Sequence, residues 1–132
     1  MRGRKRDVQK VKGAVTKSPP PPSWLSVEAK AEWRRVVPYL VSRKILSDGD
    51  WSLVESYCLA AGQVRRCQGI LSTEDSFVKS DRSAPRPHPA YRLMHAAMAE
   101  ARRHAAELGL GPLRRIEAPI GADDDDLTGL DL

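Results

Sequence analysis

Between Val27 and Val41 the apolar residues Ala29, Trp33, Val36 and Leu40 recur at spacings of four, three and four, the repeat of one helix face. Ser26 stands before this run as an N-cap, and Glu28 lies in the first turn, where the helix dipole favours a carboxylate. Pro38 has no backbone donor, so it is expected to kink this helix or end its regular part near Val37. Ser47 and Asp50 have the spacing of a capping box and predict a second helix from near Asp48 to about Leu71. Along it Leu53, Tyr57, Ala60, Val64, Cys67 and Leu71 form a seam of four- and three-residue steps. Trp51, Val54 and Ala61 widen its apolar side, so this helix is expected to be central, with two neighbours.

Residues 72–88 change to turn-formers and charges around the β-prone pair Phe77-Val78, which predicts a loop or small hairpin. Pro89 then suits the first turn of a third helix, loosely capped by His88 and ended by Gly109. Its stripe is Tyr91, Met94, Met98, Ala101, Ala105 and Leu108. A stripe of this kind faces either the core of its own chain or another subunit. The length of the helix and the small size of the domain make it the candidate oligomer interface. The fold class is therefore mainly all-α: about three helices, with a short loop or hairpin between the second and third, oligomerising through the long helices.

Charge divides the chain further. Residues 1–17 carry Arg2, Arg4, Lys5, Arg6, Lys10, Lys12 and Lys17 against the single acid Asp7, while residues 117–132 carry six acids and no base. The net charge of +5 conceals this asymmetry. Residues 1–22 are expected to form a basic disordered arm with a proline-rich linker, residues 23–116 a helical domain, and residues 117–132 an acidic disordered tail. Pro19 to Pro22 predict a polyproline II spacer that holds the arm away from the body. Trp24, just beyond it, is expected to pack back on the body as an anchor; base stacking is its alternative role.

The dense lysines and arginines of the arm can replace counterions condensed on a nucleic-acid backbone; the plainer reading is a solubilising tail. Arg34, Arg35, Arg43 and Lys44 leave the apolar stripe of the first helix and extend the candidate DNA-binding set onto the body. The acidic tail, with Leu127, Leu130 and Leu132 interspersed, suits docking on a partner protein or folding over the basic arm.

Catalytic and metal chemistry find no support in the sequence. Cys58 and Cys67 lie nine residues apart on one predicted helix, about 180° in rotation and roughly 13 Å in rise, so they neither pair nor share a metal ion. His88 and His95 lack companion ligands at the right spacing. There is no phosphate-binding Gly-x-x-x-x-Gly-Lys-Ser/Thr loop, no Gly-x-Gly-x-x-Gly turn and no His-Glu-x-x-His pair. No cofactor and no enzymatic activity are expected. With no apolar run long enough for a bilayer and no signal-peptide core after the basic start, the chain is expected to be soluble and cytoplasmic.

Taken in order, Gly3-Arg4, Lys12-Gly13, the prolines 19 to 22, Trp24-Leu25, Ala31, Trp33, Pro38, Leu40, Leu46, Asp50, Tyr57-Cys58, His88-Pro89, Glu107-Leu108-Gly109-Leu110, Pro112 and Arg115 resemble the small subunit of phage terminases. The resemblance covers roughly residues 3–116. It implies a homo-oligomeric ring in the host cytoplasm that recognises the packaging site on double-stranded viral DNA. Such a ring presents that DNA to a large subunit carrying the ATPase and nuclease activities. The alternatives are a small phage transcription regulator of helix-turn-helix type and a structural scaffold that meets nucleic acid incidentally.

Overall fold

The computed structural model describes residues 11–75, 77–80 and 83–112. It contains helix α1 (Val27–Ser42), a 3-10 turn (Asp48–Asp50), helix α2 (Trp51–Thr73), strands β1 (Phe77–Ser80) and β2 (Ser83–Pro87), and helix α3 (Pro89–Leu108). The fold is mainly helical, as the periodicity predicts. Ser26 Oγ accepts the N–H of Ala29 at 3.2 Å and caps α1. At the start of α2 the Ser47 N–H donates to Asp50 Oδ2 at 2.8 Å. The expected early start of α2 is resolved as the 3-10 turn, with the α-helix proper beginning at Trp51.

Pro38 does not end α1, which continues to Ser42. Pro38 and Arg34 both lie on the exposed face, so the Arg34 carbonyl that loses its intrahelical donor can turn to water.

The expected stripe of α1 is buried: Ala29, Trp33, Val36 and Leu40 all lie in the core, joined by Leu25, Val37, Val41 and Leu46. From α2 come Val54, Tyr57 and Cys58, and from the end of α3, Leu108. Trp33 and Trp51 stack with ring centroids 5.5 Å apart, filling the aromatic centre of this core. Trp24 does not join them; it is 61% exposed, while its neighbour Leu25 turns inward. The turn closed by the Leu25 N–H on the Pro22 carbonyl presents one side chain to the body, and leucine occupies that place.

Residues 11–22 also depart from expectation. They do not stand off as a spacer. Val11 and Val15 donate their N–H groups to the carbonyls of Lys44 and Leu46, each at 2.9 Å, and Trp33 Nε1 donates to the Pro19 carbonyl at 2.9 Å. Val15 packs against the core, which gives this polar segment an apolar contact to set against its ordering entropy.

α2 packs on both α1 and α3, and its buried face is Val54, Tyr57, Cys58, Gly62 and Cys67. This face is displaced from the expected seam, because two neighbours on different sides bury more than one stripe. Tyr57 meets Glu32, and Gly62 meets Ala29, so α1 and α2 run antiparallel. The β1–β2 hairpin between α2 and α3 pairs Phe77 with Pro87 and Val78 with Arg86, with an irregularity before Ser80. Glu74 and His88 close its base at 2.5 Å, and α3 returns antiparallel along α2. His88 Nδ1 accepts the Ala90 N–H at 3.0 Å, and Gly109 ends α3 with φ 73°, as the sequence predicts.

Gly62 sets the distance between α1 and α2. A Cβ there would lie 2.7 Å from the Ala29 amide nitrogen and 3.0 Å from its Cα, both backbone atoms of a buried helix. Alanine would favour the helix by about 1 kcal/mol on propensity alone. Overpacking costs about 1–3 kcal/mol and dominates, because a backbone cannot swing aside. Gly62→Ala should therefore lower stability in denaturant titration; a stabilised variant would show that the helices separate freely.

Candidate nucleic-acid interface

The bonds from Val11 and Val15 place the beginning of the described chain against the turn that follows α1. Lys12, next to Val11, is thereby brought to the same end of the domain as Arg43 and Lys44. Lys44 adopts φ 57°, a left-handed conformation, and its N–H donates to the Val41 carbonyl at 3.0 Å as α1 terminates. Arg43 lies over the Tyr39 ring, 5.6 Å from its centroid, and its Nη1 donates to the Tyr39 hydroxyl at 2.7 Å. Lys12, Lys17, Arg34 and Lys44 are exposed. Arg2, Arg4, Lys5, Arg6 and Lys10 lie outside the described residues. Among the described residues Lys12, Arg43 and Lys44 thus share one end of the domain, and Arg34 and Arg35 add charge along α1.

Arg35 is engaged in a second arrangement that the sequence reading does not include. Glu32 is buried at 2% exposure, on the same phase of α1 as Ala29 and Val36. Arg35 donates through Nε to Glu32 Oε2 at 3.0 Å and through Nη2 to Oε1. The Tyr57 hydroxyl donates to Oε1 at 2.8 Å, and Arg65 Nη2 lies 3.5 Å from Oε2. One carboxylate therefore gathers groups from α1 and α2. Burial alone would raise the Glu32 pKa, but the hydrogen bonds from Arg35 and Tyr57 and the charges of Arg35 and Arg65 outweigh it and hold the carboxyl below its ordinary value. The Glu32 hydrogen bond and charge in turn raise the Arg35 pKa against the opposing effect of burial. Arg35, Tyr57 and Tyr39 also line a cleft of about 440 Å³ reaching Leu110 and Gly111 beyond α3.

Glu32 carries a signal in the sequence, since it is a charge inside the apolar phase of a helix, with Arg35 three residues on. Arg65 carries none. It meets Glu32 only because the Gly62 contact brings the two helices together.

The expected oligomer stripe of α3 divides. Leu108 is buried in the core of its own chain, and Ala101 and Ala105 pack against that core. Tyr91 and Met94 are half-buried, Met98 is 42% exposed, and nearby Leu93 is 54% exposed. A further open cleft, of about 640 Å³, lies where the hairpin joins α3 and is flanked by Arg86 and Arg92.

Among the described residues no group of three His, Cys, Asp or Glu side chains is placed to hold a metal ion, and no helix is long and apolar enough to cross a membrane. Cys58 and Cys67 are both buried and unpaired with each other. Neither the curated proteins nor the solved structures contain a match to this chain. The family model of the phage terminase small subunit matches residues 29–125, from the first turn of α1 through α2, the hairpin and α3. That match covers well over half of the sequence and supports a role in phage packaging: the chain belongs to the phage terminase small-subunit family.

Proposed function

We propose that the chain is the DNA-recognition subunit of a phage packaging terminase. It binds the packaging site on double-stranded viral DNA in the host cytoplasm and delivers that DNA to a large subunit that supplies ATPase and nuclease activity. The chain itself acts without catalysis, as small subunits of this family generally do, and works as a homo-oligomeric ring. Family membership supports the packaging role. The observation that supports the DNA reading best is the pairing of Val11 with Lys44, which brings Lys12 to the same end of the domain as Arg43 and Lys44. A duplex backbone, one phosphate after another, is the ligand that several basic groups at one end of a domain fit.

Replacing Arg4, Lys5 and Arg6 together by alanine tests this directly. Each phosphate left without its cation should reduce the slope of log affinity against log salt by about 0.9, so the triple variant should lose up to about 3 in slope and bind every duplex sequence more weakly. An unchanged slope would remove the arm from the interface. Native mass spectrometry of the same preparations reads the assembly, and a monomer or dimer at all concentrations would remove the ring.

A further inference from the structure

We infer that Arg35 and Arg65 form a preorganised clamp for one DNA phosphate, held in position by the buried carboxylate of Glu32. The inference rests on the DNA-binding reading above and names a contact within it. A guanidinium has five donors in a planar fork. Arg35 directs Nε and Nη2 inward to Glu32, which leaves Nη1 on the outer side of a side chain that is 60% exposed. Arg65 directs Nη2 inward to the same carboxylate, and its side chain is 55% exposed. The two guanidiniums come from different helices yet converge on one buried carboxylate oxygen, Glu32 Oε2, at 3.0 and 3.5 Å, so they lie side by side.

Long arginine side chains ordinarily lose rotamer freedom when they bind. Here Glu32 and Tyr57 have already restricted Arg35, and Glu32 restrains Arg65, so that cost is met in folding. The anchor is spent on the inner face only. Two guanidiniums against one carboxylate leave a net positive charge at the surface, and Arg34 and Arg66, the chain neighbours of the two clamp residues, are both exposed. A tetrahedral phosphate oxyanion, which accepts from several directions, fits paired planar forks better than a single carboxylate does. Glu32 is a positioning residue in this arrangement: it is too buried to touch DNA.

The test uses the full chain, a short duplex DNA of arbitrary sequence, and affinity measured across a salt series, with thermal melts of every variant. Arg65→Ala should lower the salt slope by about 1, as expected when one phosphate goes unneutralised. Arg65→Lys keeps the charge but not the fork, and should weaken binding by about three- to tenfold. Glu32→Gln is the sharpest variant because it removes a negative charge. If only net charge mattered it would bind DNA more tightly; as the anchor of the clamp its loss should weaken binding about threefold or more despite the added positive charge.

Tighter binding by Glu32→Gln in a folded protein, or a wild-type slope and affinity for Arg65→Ala, would overturn the clamp. If Glu32→Gln does not fold, the two substitutions at half-exposed Arg65 decide the matter. Failure of the wild-type chain to bind duplex DNA at low salt would overturn the DNA reading as well. Binding by the wild type that the Arg65 variants leave unchanged would overturn the clamp alone.

Discussion

Trp33→Ala should destabilise the domain by about 3–5 kcal/mol, the range for deleting a buried tryptophan from a core that cannot collapse around the cavity. Trp33 is 3% exposed and holds three parts of the fold at once. Its ring stacks on Trp51 at the start of α2, a pairing worth about 0.5–1.5 kcal/mol beyond area burial. Its indole N–H donates to the Pro19 carbonyl and fastens residues 11–22 to the helices. For a domain of this size, about 1 kcal/mol corresponds to roughly 4–8 °C, so melting followed by far-UV circular dichroism should move down by roughly 15 °C or more. Trp33→Phe separates the roles. It keeps most of the apolar volume but removes the donor, so it should cost less and should act first on the amide protection of Val11 and Val15. A loss below about 1 kcal/mol for Trp33→Ala would show that the aromatic centre does not hold the core together.

The positions legible from the sequence are those governed by local chemistry. The stripe of α1, the proline at the start of α3, the His88 cap and the left-handed Gly109 each depend on residues within about one turn of each other, and each stands where the pattern places it. The failures share a different cause. The size of Trp24 argues for a place on the body, yet the turn after the prolines has one inward position and Leu25 fills it. The stiffness of the proline run argues for an extended spacer, yet stiffness is compatible with lying against a surface that offers donors, and Trp33 offers one. Arg65 is invisible because nothing near it in sequence names its partner. Glycine at position 62 likewise reads as a weak point in a helix until Ala29 is seen behind it.

The same separation holds for the candidate site. Basic residues are easy to count, but whether a guanidinium is loose or anchored is a tertiary fact. Arg34 and Arg35 are adjacent and alike in the sequence, while in the fold one is exposed on α1 and the other is bound to a buried acid. Along α3, periodicity finds the apolar stripe, but it cannot divide that stripe between the chain's own core, which takes Leu108, and the side that leaves Met98 exposed.

The buried end of this network also predicts how the protein fails at high pH. Burial pushes the Cys58 thiol up to about 12 from an ordinary 9.0, with the Glu32 charge adding to the effect. Burial likewise pushes the Tyr57 hydroxyl up to about 12 from 10.0, reinforced by its hydrogen bond to Glu32. Both groups are therefore raised in the fold relative to the unfolded chain. Their contribution to stability is whole below pH 9 and is lost as pH rises through the interval to about 12. Within its own interval each group removes about 1.4 kcal/mol per pH unit, so the two together cost several kcal/mol by pH 12. Glu32 has the opposite sign: its pKa is lowered, so its contribution is present above the ordinary carboxylate range and fades as pH falls through the folded value. Cys58→Ala isolates the thiol. It should be less stable than wild type near neutrality by about 1 kcal/mol, for the small cavity it leaves. It lacks the thiol's alkaline loss, however, so its stability curve should cross that of the wild type between pH 9 and 12. Parallel curves from denaturant titrations across that interval would show that the Cys58 thiol ionises as readily in the fold as outside it, and that the packing of α1 on α2 does not exclude water from it.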